Sequence, residues 1–304
     1  MPNKLEYAKI FQSALDKQIV QEATTGWMEL NSKLVKYNGG DEVKMPSMVM
    51  DGLADYSRDT GFVKGSITLK WDTYKLTQDR GRTFTLDAMD VDETNFVATA
   101  GTVLGEFQRT QVTPEIDAFR YSKLATLAKT ASQSRDLAIS ASSNVADEIL
   151  ADLANLEDVA GAQEVVISIS PTLAARLGKD GKDYISKVAF KKGEIVTRVN
   201  SFDDNPIVRV RSRLLKTAFT FKDGTTSGQE AGGFEVAAGA QNINWIIAVR
   251  TAPIAVSKTD KVRIFDPNVN QDADAWKIDY RKYHDLWVPA NKIKGVIANL
   301  APAS

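Results

Sequence analysis

The sequence predicts an α+β fold, and three observations carry it. Two stretches of strand-type alternation, 43–87 and 241–297, enclose a helix-rich middle. An apolar stripe at helical spacing runs through 90–129. A unit in which helices and strands alternate fills 140–240. The 304 residues suit one large or two modest domains, and an apolar fraction of 43% is ample for a core.

Residues 3–22 predict an amphipathic helix. Asn3 and Glu6 make a capping-box pair, and Tyr7, Ile10, Phe11, Ala14, Leu15 and Ile19 share one face. That face needs a partner, from this chain or another. Between Gly26 and Asn38 apolar and polar residues mix without a clear period, and Asn38-Gly39-Gly40-Asp41 signals a turn.

Residues 43–50 read as a strand weakened by Pro46. In 66–76, Ile67, Leu69 and Trp71 alternate with Thr68, Lys70 and Asp72. Tyr74 and Leu76 then continue in the other phase, as a bulge near Asp72-Thr73 would produce. Residues 81–86 are a third strand, with Phe84 and Leu86 on one side. The whole reads as a long hairpin with its tip between Gly52 and Gly65, rich in charge and sparing in large apolar residues. Such an arm cannot bury its own surface, so it is either mobile or held by another molecule.

Asp90 and Glu93 form a second capping box. Phe96, Ala100, Val103, Leu104 and Phe107 then make an apolar stripe, so 91–111 would be a rod roughly 30 Å long. Thr113-Pro114-Glu115 reads as a new cap with proline at the first helical position, and Ile116, Phe119, Leu124 and Leu127 continue an apolar face. Two helices meeting at Thr113 and one long helix kinked there fit equally well.

In the middle, 143–157 is helical, with Val145, Ile149, Leu153 and Leu156 on one face. The run EVVISIS (164–170) is a buried strand, and Pro171 opens a short helix ending near Gly178. Residues 194–199 and 207–210 are short strands around a turn at Asp203-Asp204-Asn205-Pro206, and 223–233 is a glycine-rich exposed loop. Further on, 245–249 is a continuous apolar run suited to a strand covered on both faces. Ile254, Val256, Val262 and Ile264 follow. Trp276, Ile278 and Tyr280 alternate with Lys277, Asp279 and Arg281 before a second expected phase shift to Leu286 and Val288, and Ile293, Val296 and Ile297 close the chain.

Composition excludes several chemistries. There is no cysteine, hence no disulfide and no thiolate. Net charge is −1, without the basic excess of a dedicated nucleic-acid binder. The N-terminus lacks the apolar core of a signal peptide, and no apolar run approaches the ~20 residues of a membrane span. The expectation is a soluble chain made in a cytosol. The single histidine, His284, has no serine beside it and reads as structural rather than as part of a triad. Acidic clusters at Asp90/Asp92/Glu93, Asp203/Asp204 and Asp272/Asp274 offer oxygen ligands but lack calcium-loop spacing. The 224–233 loop lacks the Gly-Lys-Ser/Thr ending of a phosphate loop. Arg209, Arg211 and Arg213, with Lys216, would share one side of a strand and face phosphates, carboxylates or solvent. No catalytic constellation, metal or cofactor is expected.

Two long blocks carry a resemblance. LTQDRGRTFTLDAMDVDETNFVATAGTVLGEFQRTQVTPEIDAFRYSKLA (76–125) and VRIFDPNVNQDADAWKIDYRKYHDLWVPANKIKGV (262–296) are similar to the major capsid proteins of tailed bacteriophages, particularly those infecting Gram-positive bacteria. The resemblance implies the Hong-Kong-ninety-seven-type phage major capsid fold. Its parts would be an N-terminal arm (1–42), an extended β-hairpin loop (43–80), a peripheral domain with a long spine helix (81–134), an α/β axial domain (135–240) and strands returning to the peripheral domain (241–304). It implies a non-enzymatic structural protein that assembles into pentamers and hexamers of an icosahedral head. Its partners would be further copies of itself, a separate scaffolding protein, a portal and packaged double-stranded DNA touched without sequence specificity, with no membrane and no cofactor. It would be located in the virion and assembled in the host bacterial cytoplasm. Candidate intersubunit contacts are Tyr56, Arg58, Asp59 and Lys64 at the loop tip, Arg80 and Arg82 beyond it, and Glu106 and Arg109 on the helix. Three alternatives compete: the shell of an encapsulin-like nanocompartment, a hydrolase or transferase using the acidic clusters, and a DNA-binding module using the arginine strand.

Overall fold

The computed structural model describes residues 23–34, 36–37, 42–59, 61–87, 103–192 and 195–303. The expected helix at 3–22, the Asp90/Glu93 cap and the first part of the 91–111 helix lie outside the described residues. In chain order the strands are β1 (Lys36–Tyr37), β2 (Glu42–Met50), β3 (Ile67–Lys75), β4 (Gln78–Asp87), β5 (Ser134–Asp136), β6 (Val165–Ile169), β7 (Ile185–Lys192), β8 (Ile195–Phe202), β9 (Asn205–Arg209), β10 (Phe219–Phe221), β11 (Phe234–Val236), β12 (Ile243–Val249), β13 (Ile254–Phe265), β14 (Ala275–Trp287) and β15 (Val296–Leu300). The helices α1 (Thr113–Thr130), α2 (Val145–Ala160) and α3 (Pro171–Asp180) accompany them.

The largest sheet has seven strands in the order β5-β15-β12-β6-β9-β8-β7. Its central members are the uninterrupted apolar runs VVISI, INWIIAV and VIANL, every residue of which is buried. Such runs need cover on both faces, and α1 and α2 supply it, both packing on β15. Asn144 caps α2 by accepting from the Ala146 and Asp147 amides, and Ser170 caps α3 ahead of Pro171. Buried Asp152 is satisfied: its Oδ2 accepts from Trp245 Nε1 at 2.9 Å and Asn299 Nδ2 at 3.0 Å, and its other oxygen meets Arg135 at 3.2 Å.

A second sheet, β13-β14-β4, is crossed by the helix that begins, among the described residues, at 103. This helix runs without a break into α1: Phe107, Val112 and Thr113 all have α-helical dihedrals. A π-helical turn occupies Gln108–Val112, and the Thr113 amide bonds back to Gln108 O. Pro114 accounts for the turn, since it removes one helical donor and crowds the carbonyl four residues earlier. Of the two possibilities at Thr113, the chain takes the single helix. Leu104 and Phe107 seal it onto the sheet, Phe107 standing edge-on to Phe84 at 4.9 Å and to Tyr280 at 5.7 Å.

The third sheet is β1-β2-β3, the hairpin. Only its root is buried, where Val43, Met45 and Leu76 pack with Ile254, Val256 and Trp287.

Several expectations need correction. The β2–β3 ladder runs from Glu42↔Lys75 to Met50↔Ile67 in one register, so there is no bulge at Asp72-Thr73. The apparent change of phase has another cause: the root buries one face of the hairpin, and the outer half presents its apolar residues on the opposite face. No phase shift divides β14, where Ile278, Tyr280, Lys282, His284 and Leu286 are all buried; the apolar pattern is interrupted by two buried polar side chains. The arginines at 209, 211 and 213 do not share a strand, because β9 ends at Arg209 and Ser212–Leu214 is a 3-10 turn. Strand 81–86 pairs with β14 rather than extending the hairpin. Segment 241–304 divides between two sheets: β12 and β15 complete the seven-stranded sheet, whereas β13 and β14 pair with each other and with β4. Residues 26–34, without a period in sequence, form a 3-10 helix that lies on β13 and β7.

Candidate intersubunit surfaces

The hairpin carries apolar residues on one face of its outer half. Its ladder places Trp71 opposite Pro46, Leu69 opposite Met48 and Ile67 opposite Met50. Directly opposed residues lie on the same face, and these are exposed: Met50 by 63%, Ile67 by 70% and Leu69 by 57%. Beyond them the tip holds Phe62 against Tyr56, ring centroids 4.8 Å apart, both exposed. Ser57 and Gly61 exchange two backbone hydrogen bonds and close the turn. Arg58, Asp59 and Lys64 are all exposed on this turn. Asp51 accepts from the Ser66 amide at 2.6 Å, which ties the two strands below the tip and holds its carboxyl below the usual range.

Arg80 and Arg82 have a different setting. Arg80 is half-buried and reaches both oxygens of Glu115 on α1, at 2.7 and 3.3 Å. It also donates to the carbonyls of Lys222 and Gly233, which bracket the glycine-rich loop. Arg82, exposed, donates to Glu230 O at 3.1 Å. The two guanidinium groups thus fasten the loop to β4 within the chain. Glu106 and Arg109 pair with each other one helical turn apart, at 2.6 and 3.0 Å, and the arginine lowers the pKa of the glutamate.

Two anchors have no signature in the sequence. Asp117 accepts four hydrogen bonds, from the amide and hydroxyl of Thr24 and of Thr25, at 2.6–3.0 Å. Fully buried Arg120, one helical turn on, pairs with Glu29 at 2.6 Å. The chain is therefore pinned to α1 at the point where residues 1–22 join it. At the hairpin root, buried Asp285 accepts from the amide and hydroxyl of Thr77 at 3.0 and 2.8 Å and pairs with Lys123. Polar residues on a helix face look like solvent-facing ones until their partners, some 90 or 200 residues away, are known.

Little here resembles an active site. No group of three His, Asp or Glu side chains is placed to hold a metal among the described residues. Asp203 and Asp204 form a tight turn, both at positive φ, and Asp272 pairs with Lys277 at 2.7 Å. His284 is buried edge-on to Phe119, and burial, with Arg120, Lys282, Arg80 and Lys123 nearby, holds its pKa well below the ordinary value. No described helix is long and apolar enough to cross a membrane.

No protein-family profile and no curated protein matches the sequence. Solved structures do match the fold. The capsid structure of the cyanophage P-SCSP1u is 12% identical, with a TM-score of 0.58 over 88% of this chain and 86% of that one. The mature capsid of bacteriophage PhiM1 is 13% identical, with a TM-score of 0.57 over 87% and 83%. A virus-like particle from Pyrococcus furiosus is 10% identical, with a TM-score of 0.50 over 97% and 99%. The chain therefore has a mixed α+β fold of the phage major capsid type.

Proposed function

We propose that this chain is a structural shell protein, the major capsid protein of a tailed bacteriophage. The observation that carries the reading is the hairpin. Its root is built into the core, while its outer half extends an apolar stripe that is exposed among the described residues. Exposed apolar surface of this kind marks a protein contact, and the fold is one found in capsids. A heterologous contact repeated around a ring closes into a cyclic oligomer, and hairpins that clamp neighbours add multivalent grip. On this reading 43–80 is the extended loop, the helix through 103–130 is the spine of a peripheral domain, and 135–240 supplies most of an axial domain. Pentamers and hexamers would close an icosahedral head around double-stranded DNA, with a scaffolding protein and a portal as partners. The near-zero net charge suits such a wall, which neither traps nor repels its contents.

A second reading of the same fold is the shell of an encapsulin-like nanocompartment; the virus-like particle from Pyrococcus furiosus shares the fold over nearly the whole of both chains. The contents of purified shells separate the two: nucleic acid favours the first, a protein cargo the second. The test of the shared core is deletion of residues 53–64. The variant is expected to remain folded and soluble but to form no stable shells by negative-stain electron microscopy. Normal shells from it would defeat the reading.

A further inference from the structure

The near-zero net charge of the chain is an average. Residues 171–216 hold eleven Lys and Arg against five Asp and Glu. Strands β7, β8 and β9, with sequences ISKVAFKK, IVTRVNSF and NPIVR, carry no acidic residue. The β7–β8 ladder runs in one register from Ile185↔Phe202 to Lys192↔Ile195, so alternation assigns each side chain to a face. Lys187 stands directly opposite Asn200, and Arg198 opposite Ala189. Lys187 and Lys191 are the diagonal neighbours of Arg198, about 7–8 Å away, and all of these share one face. A cleft of about 300 Å³ opens on the same face. Ala174 of α3, Ile185 and Ile207 give it an apolar floor, and Asn200, Lys182 and Arg209 line it without a carboxylate among the described residues. Lys182, Lys187, Lys191, Arg198 and Arg209 are exposed, and no ion pair engages any of them among the described residues. Cations elsewhere are answered: Arg80 by Glu115, Arg120 by Glu29, Lys123 by Asp285 and Arg281 by Asp79. Nearby, Asp180 accepts from the Val145 amide, and Asp204 accepts from Ser186 Oγ on the opposite face. Asp183, beside Lys182, and Asp203, in the β8–β9 turn, are exposed. Five cations thus stand against two described carboxylates, and the face is positive. Lysines on β7 alone would be no more than protection of a sheet edge. Arg198 and Arg209 lie on β8 and β9, inside the sheet, where there is no edge to protect.

We propose that this face binds the phosphate backbone of nucleic acid, with Arg198 and Arg209 as the principal contacts. Guanidinium groups take phosphate oxygens two at a time. Cations spread over three strands, with Lys187 and Lys191 about 13 Å apart along one of them, suit a ligand of repeated charge rather than a single acid group. Contacts of this kind hold the backbone without reading sequence. The proposal rests on the shell reading for the source of the nucleic acid, but not for the binding itself, which belongs to the single chain.

The probe is a fluorescein-labelled DNA duplex of mixed sequence, titrated with the full-length chain and read by anisotropy at several salt concentrations. Arg198→Gln with Arg209→Gln should fold normally by circular dichroism and weaken binding at least tenfold. It should also lower the slope of log affinity against log salt by about 2. Arg58→Gln with Lys64→Gln makes the same change of net charge at the exposed hairpin tip and should leave binding within twofold. Poly-L-glutamate at equal charge should displace the probe at least tenfold less well than unlabelled duplex. Absence of binding, equal loss in the two double variants, or poly-L-glutamate as effective as duplex would each overturn the proposal; the last would make the partner an acidic protein segment. Assembly is scored separately by electron microscopy. Normal shells are expected from the Arg198, Arg209 variant, and failed assembly with DNA binding intact would make the face a contact between copies. A chain that binds DNA through these arginines but never forms shells would overturn the shell reading and leave this one standing.

Discussion

At the scale of single residues, the informative side chains are the buried charged ones. Asp117 holds four donors, and losing its carboxylate would strand two backbone amides and two hydroxyls. Unsatisfied buried groups cost about 1–3 kcal/mol each, so Asp117→Ala should lose about 3 kcal/mol or more of unfolding free energy, read from urea denaturation. His284 makes a pH prediction. It stands edge-on to Phe119 and near Arg120 and Lys123 on α1, Arg80 on β4 and Lys282 on its own strand, with Gln78 and Ser257 opposite it on the neighbouring strands. Its pKa is lowered in the folded chain, so the unfolded chain takes up the proton first as pH falls. Stability contributed by the neutral ring is whole above about pH 6.5 and declines below it, by at most about 1.4 kcal/mol per pH unit. His284→Gln should flatten this acid limb between pH 6.5 and 5 in thermal melts; an unchanged slope would assign acid sensitivity to the carboxylates instead. Neither role was legible beforehand. The sequence places His284 in a strand as a structural residue, but most of the surrounding cations come from a helix and a strand distant in sequence.

At the scale of elements, the hairpin divides into a root and an outer half with opposite demands. Met45 at the root is 3% exposed, whereas Met48 and Leu69 farther out are 53% and 57% exposed. Met45→Lys should therefore destabilise the chain itself by several kcal/mol, since it buries an unpaired charge. The pair Met48→Lys with Leu69→Glu, which sets opposite charges across the ladder, should leave stability within about 0.5 kcal/mol and abolish assembly, measured by light scattering. Equal effects of the two changes would mean that the stripe has no partner. The strands themselves were legible because Ile67, Leu69 and Trp71 alternate; the direction each half faces was not, because alternation shows that a face is apolar but not what covers it. The helix gives a similar lesson. Its apolar stripe and its discontinuity at Thr113 were both readable, but a proline after a possible cap is equally a start signal and a disturbance. The π-turn lets the chain take Pro114 without ending the helix. Arg80→Gln, which removes the links from β4 to Glu115 and to both ends of the glycine-rich loop, should speed amide hydrogen exchange in 222–233 while leaving the β12 core protected.

For the whole molecule, the α+β class was legible from periodicity and caps, and the resemblance implied the capsid-type fold. The pairing between sheets was not. A covered apolar strand such as β12 or β15 says that it is central, not which strands flank it, so 241–304 looked like a unit when it is shared between two sheets. That sharing has a temporal consequence. During synthesis β5 and β6 leave the ribosome long before their neighbours β15 and β12. The principal core cannot close until β15 has been made, because pairings of such long sequence separation form late. A chain cut short before β15 would lack one of the two strands that flank β12 and would fold poorly, so the topology itself discriminates against truncated copies.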